Sequence, residues 1–221
     1  MPRSKTAESR LSRDEIVEEA RRLVASEGVD ALTMRRVGEV CGIQGPTLYW
    51  HFRDKEELVG HLVDSVVADL DVGTDAQSWT ERVGVIAASY RRLLLEHRGL
   101  ATALAARFSG SDTVFEGFEQ VLAVLVDAGF TYRQALLLHY SVVTYTTGFA
   151  LYEGSSPVFL LAAMPPGAPE RQGARLLVPQ LDDPRFPHLH ELAPVLDDVT
   201  ADELFEQGLA ALVRGWVDVT G

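Results

Sequence analysis

The sequence predicts an all-α fold, an N-terminal three-helix head followed by a larger helical body. Three observations carry this. Helix-start signals of the Ser/Thr/Asp-x-x-Glu/Gln type recur along the chain, each followed by apolar residues at helical spacing. Glycines stand where several of those patterns stop. No apolar/polar alternation of the strand type lasts more than a few residues.

Taken in order, Ser12-Arg13-Asp14-Glu15 opens a helix with Ile16, Ala20, Leu23 and Val24 on one face, ended by Gly28. Thr33 caps a short second helix through Val40, ended by Gly42. Gly45-Pro46 begins a very short third helix, proline being tolerated in the first turn. Asp54-Lys55-Glu56-Glu57 is a further capping box, opening a helix to about Leu70. Residues 73–78 read as a linker. Ser78-Trp79-Thr80-Glu81 caps a long helix to His97, a short helix follows near 100–108, and another runs from Asp112 to Ala128, closed by Gly129. Thr131-Tyr132-Arg133-Gln134 caps a helix to about Tyr152. From Gly154 to Pro187 seven prolines fall and periodicity is lost, which predicts a long irregular loop. A short helix over 188–196 and a last one, capped by Thr200-Ala201-Asp202-Glu203 and running to Val217, complete a reading of nine or ten helices.

The segment Gln134–Tyr152 carries no formal charge. Its Gln134, His139, Ser141, Thr144, Thr146 and Thr147 argue against a membrane span, which needs about 20 predominantly apolar residues. A helix buried on nearly all sides is expected instead. The N-terminus has no apolar stretch of the secretory type. Cys41 is the single cysteine of the chain, which leaves no intrachain disulfide and fits a reducing, cytoplasmic setting. His188 and His190, two apart, cannot share a helical face and have no evident third partner, so no metal site and no cofactor are expected.

The composition is that of an ordinary globular protein of 221 residues, 47% hydrophobic and 24% charged. Its net charge of −12 argues, as an average, against a polyanionic partner. The distribution reverses that. Residues 1–57 hold 10 basic and 11 acidic side chains, and residues 58–221 hold 10 and 21. The acidity therefore belongs to the body, and the stretch 1–13 is a basic arm with Arg3, Lys5, Arg10 and Arg13 against Glu8.

The second and third helices, separated only by Gly42-Ile43-Gln44, form a helix-turn-helix, whose second helix enters the DNA major groove. The third helix is too short to fold alone. Leu48 and Phe52 supply its inward face, leaving Thr47, Tyr49, Trp50 and His51 outward. Exposed hydroxyls and aromatic rings are poor packing on so short a helix, but they can meet phosphates and thymine methyls.

Leu32-Thr33-Met34-Arg35-Arg36-Val37, with Gly42-Ile43-Gln44-Gly45-Pro46-Thr47-Leu48-Tyr49-Trp50-His51-Phe52-Arg53-Asp54-Lys55-Glu56-Glu57-Leu58, resembles the DNA-binding domain of the TetR family of repressors. Ser78-Trp79, Glu96-His97-Arg98, Ala128-Gly129-Phe130 and the proline-rich segment before the last helix resemble, more loosely, the regulatory domain of the tetracycline repressors. The resemblance implies a DNA-binding domain over 1–57 and a ligand-binding and dimerisation domain over 58–221. It implies that Arg35 reads guanine, that Gln44, Pro46, Thr47 and Tyr49 meet bases or nearby phosphates, and that Thr33, Trp50, His51 and Lys55 anchor the backbone. It implies an effector cavity between the helices of 79–152, for which Trp79, Ile86, Tyr90, His97, Phe108, Phe115, Phe118 and Val121 are the candidate lining. It also implies a four-helix dimer bundle built from the uncharged helix and the last helix, the latter offering Leu204, Gly208, Ala211, Leu212 and Gly215. A two-fold dimer predicts a palindromic operator.

Departures from the pattern matter. Gly45 stands where tetracycline repressors carry a long polar base-reading side chain. Asp71 and Ala103 or Leu104 stand where they carry the histidines for a magnesium–drug chelate, and Ile86 and Val121 replace two polar amides. A largely apolar effector that weakens operator binding is therefore expected. An activator, or a regulator whose ligand strengthens DNA binding, remains open on sequence alone. An all-α enzyme is the remote alternative, with no catalytic motif to support it.

Overall fold

The computed structural model describes residues 11–100, 103–104, 111–165 and 167–217. These form α1 (Arg13–Glu27), α2 (Met34–Cys41), α3 (Gly45–His51), α4 (Lys55–Val67), α5 (Trp79–Glu96), α6 (Asp112–Asp127), α7 (Tyr132–Ser155), α8 (Pro157–Ala163), α9 (Glu170–Arg175), α10 (Pro187–Asp198) and α11 (Ala201–Val217). Short 3₁₀ turns lie at Val29–Ala31, Arg98–Leu100 and Pro179–Asp182. Among the described residues there is no strand, and no helix is long and apolar enough to cross a membrane. The all-α expectation holds. Residues 1–10 of the basic arm and Phe108 lie outside the described residues, as does most of the helix expected near 100–108.

Contacts divide the chain into two compact units, one of residues up to Asp69 with Gly99–Val114, the other of Leu70–Arg98 with Phe115 onward. In the first unit α1 lies against α2 and α4. Ser12 and Glu15 form the reciprocal capping box, and Ile16, Ala20 and Leu23 are buried. The unit extends past the boundary expected at residue 57, because Leu58, Leu62, Val63 and Val66 of α4 are buried as deeply as the residues of α1. Arg21 and Asp69, 2.6 Å apart, tie the chain just past α4 to α1.

In the second unit α7 packs against α5, α8 and α11. Its core joins Val83 and Ala87 of α5, Leu125 of α6, Leu138 and Val142 of α7, and Phe205, Leu209 and Val213 of α11. Gly129, at φ +96°, closes α6 with the paired bonds of a Schellman turn: Phe130 N–H to the Leu125 carbonyl at 3.0 Å and Gly129 N–H to Val126 at 2.9 Å. Buried among these helices is an ion cluster. Arg91 donates two hydrogen bonds of 2.8 Å to Glu153 and one of 2.7 Å to Asp202, and its guanidinium lies over the Phe149 and Phe205 rings.

Two expectations need correction. The segment 154–187 is not an irregular loop. It holds the end of α7, then α8, α9 and a 3₁₀ turn. Its prolines interrupt periodicity yet do not prevent these short helices, because Pro157 and Pro179 fall in first turns, where the missing N–H costs nothing. A tertiary device also holds the segment. The buried Arg171 guanidinium donates to the carbonyls of Met164, Pro165, Leu196 and Asp197 at 2.5–3.1 Å. Nor is α7 buried on nearly all sides: Leu136, Leu137, Tyr140, Leu151 and Tyr152 are exposed in the single chain.

Candidate nucleic-acid interface and effector site

The helix-turn-helix turn depends on two glycines. Gly42 adopts the left-handed conformation at φ +64°, and Ile43 donates back to the Gly38 carbonyl at 2.9 Å. That bond brings the Ile43 oxygen to 3.1 Å from where a Cβ on Gly38 would stand. Gln44 then occupies the N-cap of α3 without a side-chain cap, and Pro46 sits in the first turn.

Seven residues cannot hold a helix by themselves. Leu48 and Phe52 are fully buried and attach α3 to the unit. Phe52 meets the His61 ring edge-on at 5.6 Å, and Arg13, 3.3 Å from His61, lies over the Phe52 ring at 5.2 Å. The Arg13 guanidinium also donates to the His51 carbonyl and to Glu57. Arg13, grouped with the basic arm on sequence grounds, is thus the first residue of α1 and engages the end of α3. The opposite face is open: Tyr49 is 56% and Trp50 85% exposed, and Gln44, Pro46 and Thr47 are exposed beside them. His51 is half-buried. Lys55 is exposed in the first turn of α4, whose N-cap Asp54 accepts from Glu57 N–H at 2.8 Å.

The two adjacent arginines of α2 separate cleanly. Arg36 is held by Glu27 at 2.5 Å and by Glu39 at 3.3 Å, and its hydrogen bonds lower the Glu27 carboxyl below the usual range. Thr33, whose hydroxyl accepts from Arg36 N–H at 3.1 Å, caps the same helix. The Arg35 side chain is 88% exposed and 3.8 Å from Glu39, a screened surface contact that leaves its donor fork available. Arg35→Ala is expected to weaken operator binding by about 1–3 kcal/mol without changing the melting temperature. Fluorescence anisotropy beside thermal unfolding checks this.

In the second unit the candidate lining divides. Trp79 packs edge-on against Phe130 at 5.0 Å, and both Trp79 and Val121 lie against the main core. Ile86 and Tyr90 follow one another by a turn on α5, both half-buried. His97 is the C-cap of α5, and Phe115 is exposed. Phe118 does meet a polar partner, the His139 ring of α7 at 4.6 Å. Thr147 donates to the Tyr90 hydroxyl at 3.5 Å, and burial raises the Tyr90 pKa. Thr146, fully buried, has an Oγ with no hydrogen-bond partner. None of His139, Thr146 or Thr147 belongs to the lining expected from the sequence. Their signal was a polar stripe recurring at helical spacing in an otherwise uncharged helix. Of the last helix, Leu204, Ala211 and Gly215 are exposed, Leu212 packs on the core, and Gly208 faces Tyr145 of its own chain. Among the described residues no three His, Cys, Asp or Glu side chains are grouped so as to hold a metal ion.

Burial lowers the His139 pKa to about 4. An unfolded histidine titrates near 6.5. Between these values the unfolded chain takes up a proton that the folded chain refuses. Stability attributable to His139 is therefore complete above pH 7 and lost as pH falls toward 4, by on the order of 3 kcal/mol. His139→Phe should flatten that part of the urea-unfolding profile, and identical pH profiles for the two proteins would refute the assignment.

Comparison with known proteins agrees with this geometry. Residues 16–62 match the family described as "Bacterial regulatory proteins, tetR family", and residues 73–219 match "Tetracyclin repressor-like, C-terminal domain". The class E tetracycline repressor of Escherichia coli is 35% identical over 148 residues, covering 66% of this chain and 70% of its own. The class A repressor from transposon 1721, also of Escherichia coli, is 31% identical over 210 residues, 94% and 91% of the two chains. Among solved structures, the Streptomyces coelicolor TetR family protein ActR in complex with (S)-DNPA superposes with a TM-score of 0.74 at 26% identity, over 95% of this chain and 98% of that one. ActR in complex with actinorhodin gives 0.71 at the same identity, over 96% and 99%. With an outward-facing helix-turn-helix in the first unit and both family domains matched, the chain belongs to the TetR family, ligand-responsive transcriptional regulators that bind operator DNA as dimers.

Proposed function

We propose that this chain is a cytoplasmic repressor, without catalytic activity, released from a palindromic operator by a largely apolar small molecule. The observation that carries the DNA half is the two-sidedness of α3: Leu48 and Phe52 fully buried, Tyr49 and Trp50 exposed on the other face. Arg35, Gln44, Pro46, Thr47 and Tyr49 would meet bases and adjacent phosphates, with Thr33, Trp50, His51 and Lys55 on the backbone. The dimer half is supported by the exposed strip Leu137, Tyr140 and Leu151 on α7 and by Leu204, Ala211 and Gly215 on α11, the two helices expected to form the bundle. The small-molecule half is supported by the ActR complexes.

Release requires ligand and operator to prefer different conformations, and the coupling is reciprocal. The test is selection from random duplexes followed by titration. A selected site with two inverted half-sites, bound by a dimer, is the expected result, and a single asymmetric site would overturn the reading. Tetracycline should fail as an effector. Ile86 and Val121 leave polar drug atoms without partners, at a cost of about 2–7 kcal/mol each on full burial. Calorimetry should show no magnesium-dependent tetracycline binding in the micromolar range.

A further inference from the structure

On α7 a single stripe carries His139, Val143, Thr146, Thr147 and Ala150, from the i, i+4, i+7 spacing of a helix. Its polar members are anomalous in two ways. A threonine inside a helix ordinarily returns its hydroxyl to the carbonyl four residues back, but Thr146 is fully buried and makes no such bond. A buried polar group left this way in a folded protein calls for a partner. His139 contacts the Phe118 ring at 4.6 Å and the Tyr140 ring at 5.6 Å, so aromatic rings flank its imidazole. At its edge, Thr147 pairs its hydroxyl with that of Tyr90 on α5, 3.5 Å away.

The stripe also has a defined electrostatic character. No charged residue occurs from Gln134 to Tyr152. The nearest buried cation toward the end of α7, Arg91, is saturated by Glu153 and Asp202. A charged ligand seated against this stripe would find no counter-ion on the stripe itself, and burying an unpaired charge is far costlier than burying a neutral polar group. Neutral imidazole and threonine hydroxyl can each donate and accept. His139 and Thr146 are seven residues apart, about 10 Å along the helix.

We propose that His139, Thr146 and Thr147, with Phe118 and Tyr90, form the recognition strip for the effector, and that the effector is a neutral aromatic molecule. It carries hydroxyl or carbonyl oxygens about 10 Å apart along one edge. Its rings lie against Phe118, one oxygen meets the His139 imidazole, and the other satisfies the Thr146 and Thr147 hydroxyls. This rests on the reading of the chain as an effector-responsive regulator and adds the chemical class of the effector and the residues that select it.

The test uses three probes of one shape on the full-length dimer: 4,4′-dihydroxybiphenyl, whose oxygens stand at a comparable separation, biphenyl, and biphenyl-4,4′-dicarboxylate. Tryptophan fluorescence follows binding. The dihydroxy probe should bind about tenfold tighter than biphenyl, and the dicarboxylate should not bind. His139→Phe and Thr146→Val should each weaken the dihydroxy probe by about three- to tenfold and leave biphenyl unchanged. Equal binding of all three probes, preference for the dicarboxylate, no binding of the dihydroxy probe, or variants indistinguishable from the parent would each overturn the proposal. Operator binding of the same preparations is measured in parallel. If it persists while the probe pattern fails, only the effector assignment falls, and if it is lost in the parent protein the regulator reading falls first.

Discussion

Replacing Arg91 by methionine is expected to lower the free energy of unfolding by about 3–5 kcal/mol, the usual cost of stranding one member of a buried pair. The stranded group is Glu153, whose side chain is 7% exposed and whose two oxygens each accept from the guanidinium at 2.8 Å. Asp202, 79% exposed, regains water and loses little. The guanidinium plane also leaves the faces of Phe149 and Phe205. Because the cost comes from the orphaned carboxylate more than from the lost attraction, removing both partners is the informative control. Arg91→Met with Glu153→Leu should recover most of the loss. Urea unfolding of the parent, the single variant and the double variant decides it. A single variant as stable as the parent would mean that water reaches Glu153. The cluster joins α5, α7 and α11, so the single variant should also populate more monomer at low protein concentration.

The second large effect lies in the head. Phe52→Ala should cost about 3–5 kcal/mol, as deletions of buried aromatic rings do, and should abolish operator binding. Phe52 is fully buried, touches the His61 ring edge, and carries Arg13 over its face. Removing the ring removes the support on which Arg13 reaches the His51 carbonyl. With α3 only seven residues long, nothing local replaces that support. Trp50→Ala is the contrast, because the same kind of deletion at an 85% exposed site should leave unfolding unchanged. Both variants should bind operator more weakly, but only Phe52→Ala should unfold at lower urea. If Phe52→Ala bound operator normally, α3 would have to be held by contacts other than these.

The caps explain why so much of the fold is legible in the sequence. Ser12, Thr33, Asp54, Ser78 and Thr131 each accept from a backbone N–H three residues on, as their spacing predicts. These are local interactions, and local interactions leave local patterns. The exceptions are informative. Glu57 and Glu81 reach back not to the N-cap N–H but one residue further, to Arg53 and Gln77, so the box pattern fixes the helix start without fixing the partner. Between 156 and 199 part of the stabilisation comes from Arg171 reaching the carbonyls of Leu196 and Asp197, 25 and 26 residues away, a separation that no helical pattern records. The exposed residues of α3 are legible because α3 must expose whatever its two buried positions do not take. The effector strip is not, since a polar residue on a buried helix has the same local pattern whether it meets a neighbour or a ligand. Arg13 illustrates the remaining limit: its charge suggested DNA, and its position against Phe52 and His51 gives it a different task.

Gly208 places a constraint on how this chain can vary. A Cβ there would stand 2.1 Å from the Tyr145 hydroxyl oxygen and 2.8 Å from the ring carbon that bears it. Tyr145 cannot simply step aside, because its hydroxyl donates to the Phe205 carbonyl at 2.9 Å and its ring stacks on Phe205 at 5.6 Å. Every coding change at a glycine adds at least that one carbon, so no single substitution at 208 is neutral while Tyr145 is present. Relief has to come from the other helix first: a smaller residue at 145 opens the space, and only then does position 208 become free to accept alanine or serine. The two sites therefore form an ordered pair, with one mutational path open and its reverse closed. In related chains the combination of a β-carbon at the 208 position with tyrosine at the 145 position should be the one that is missing.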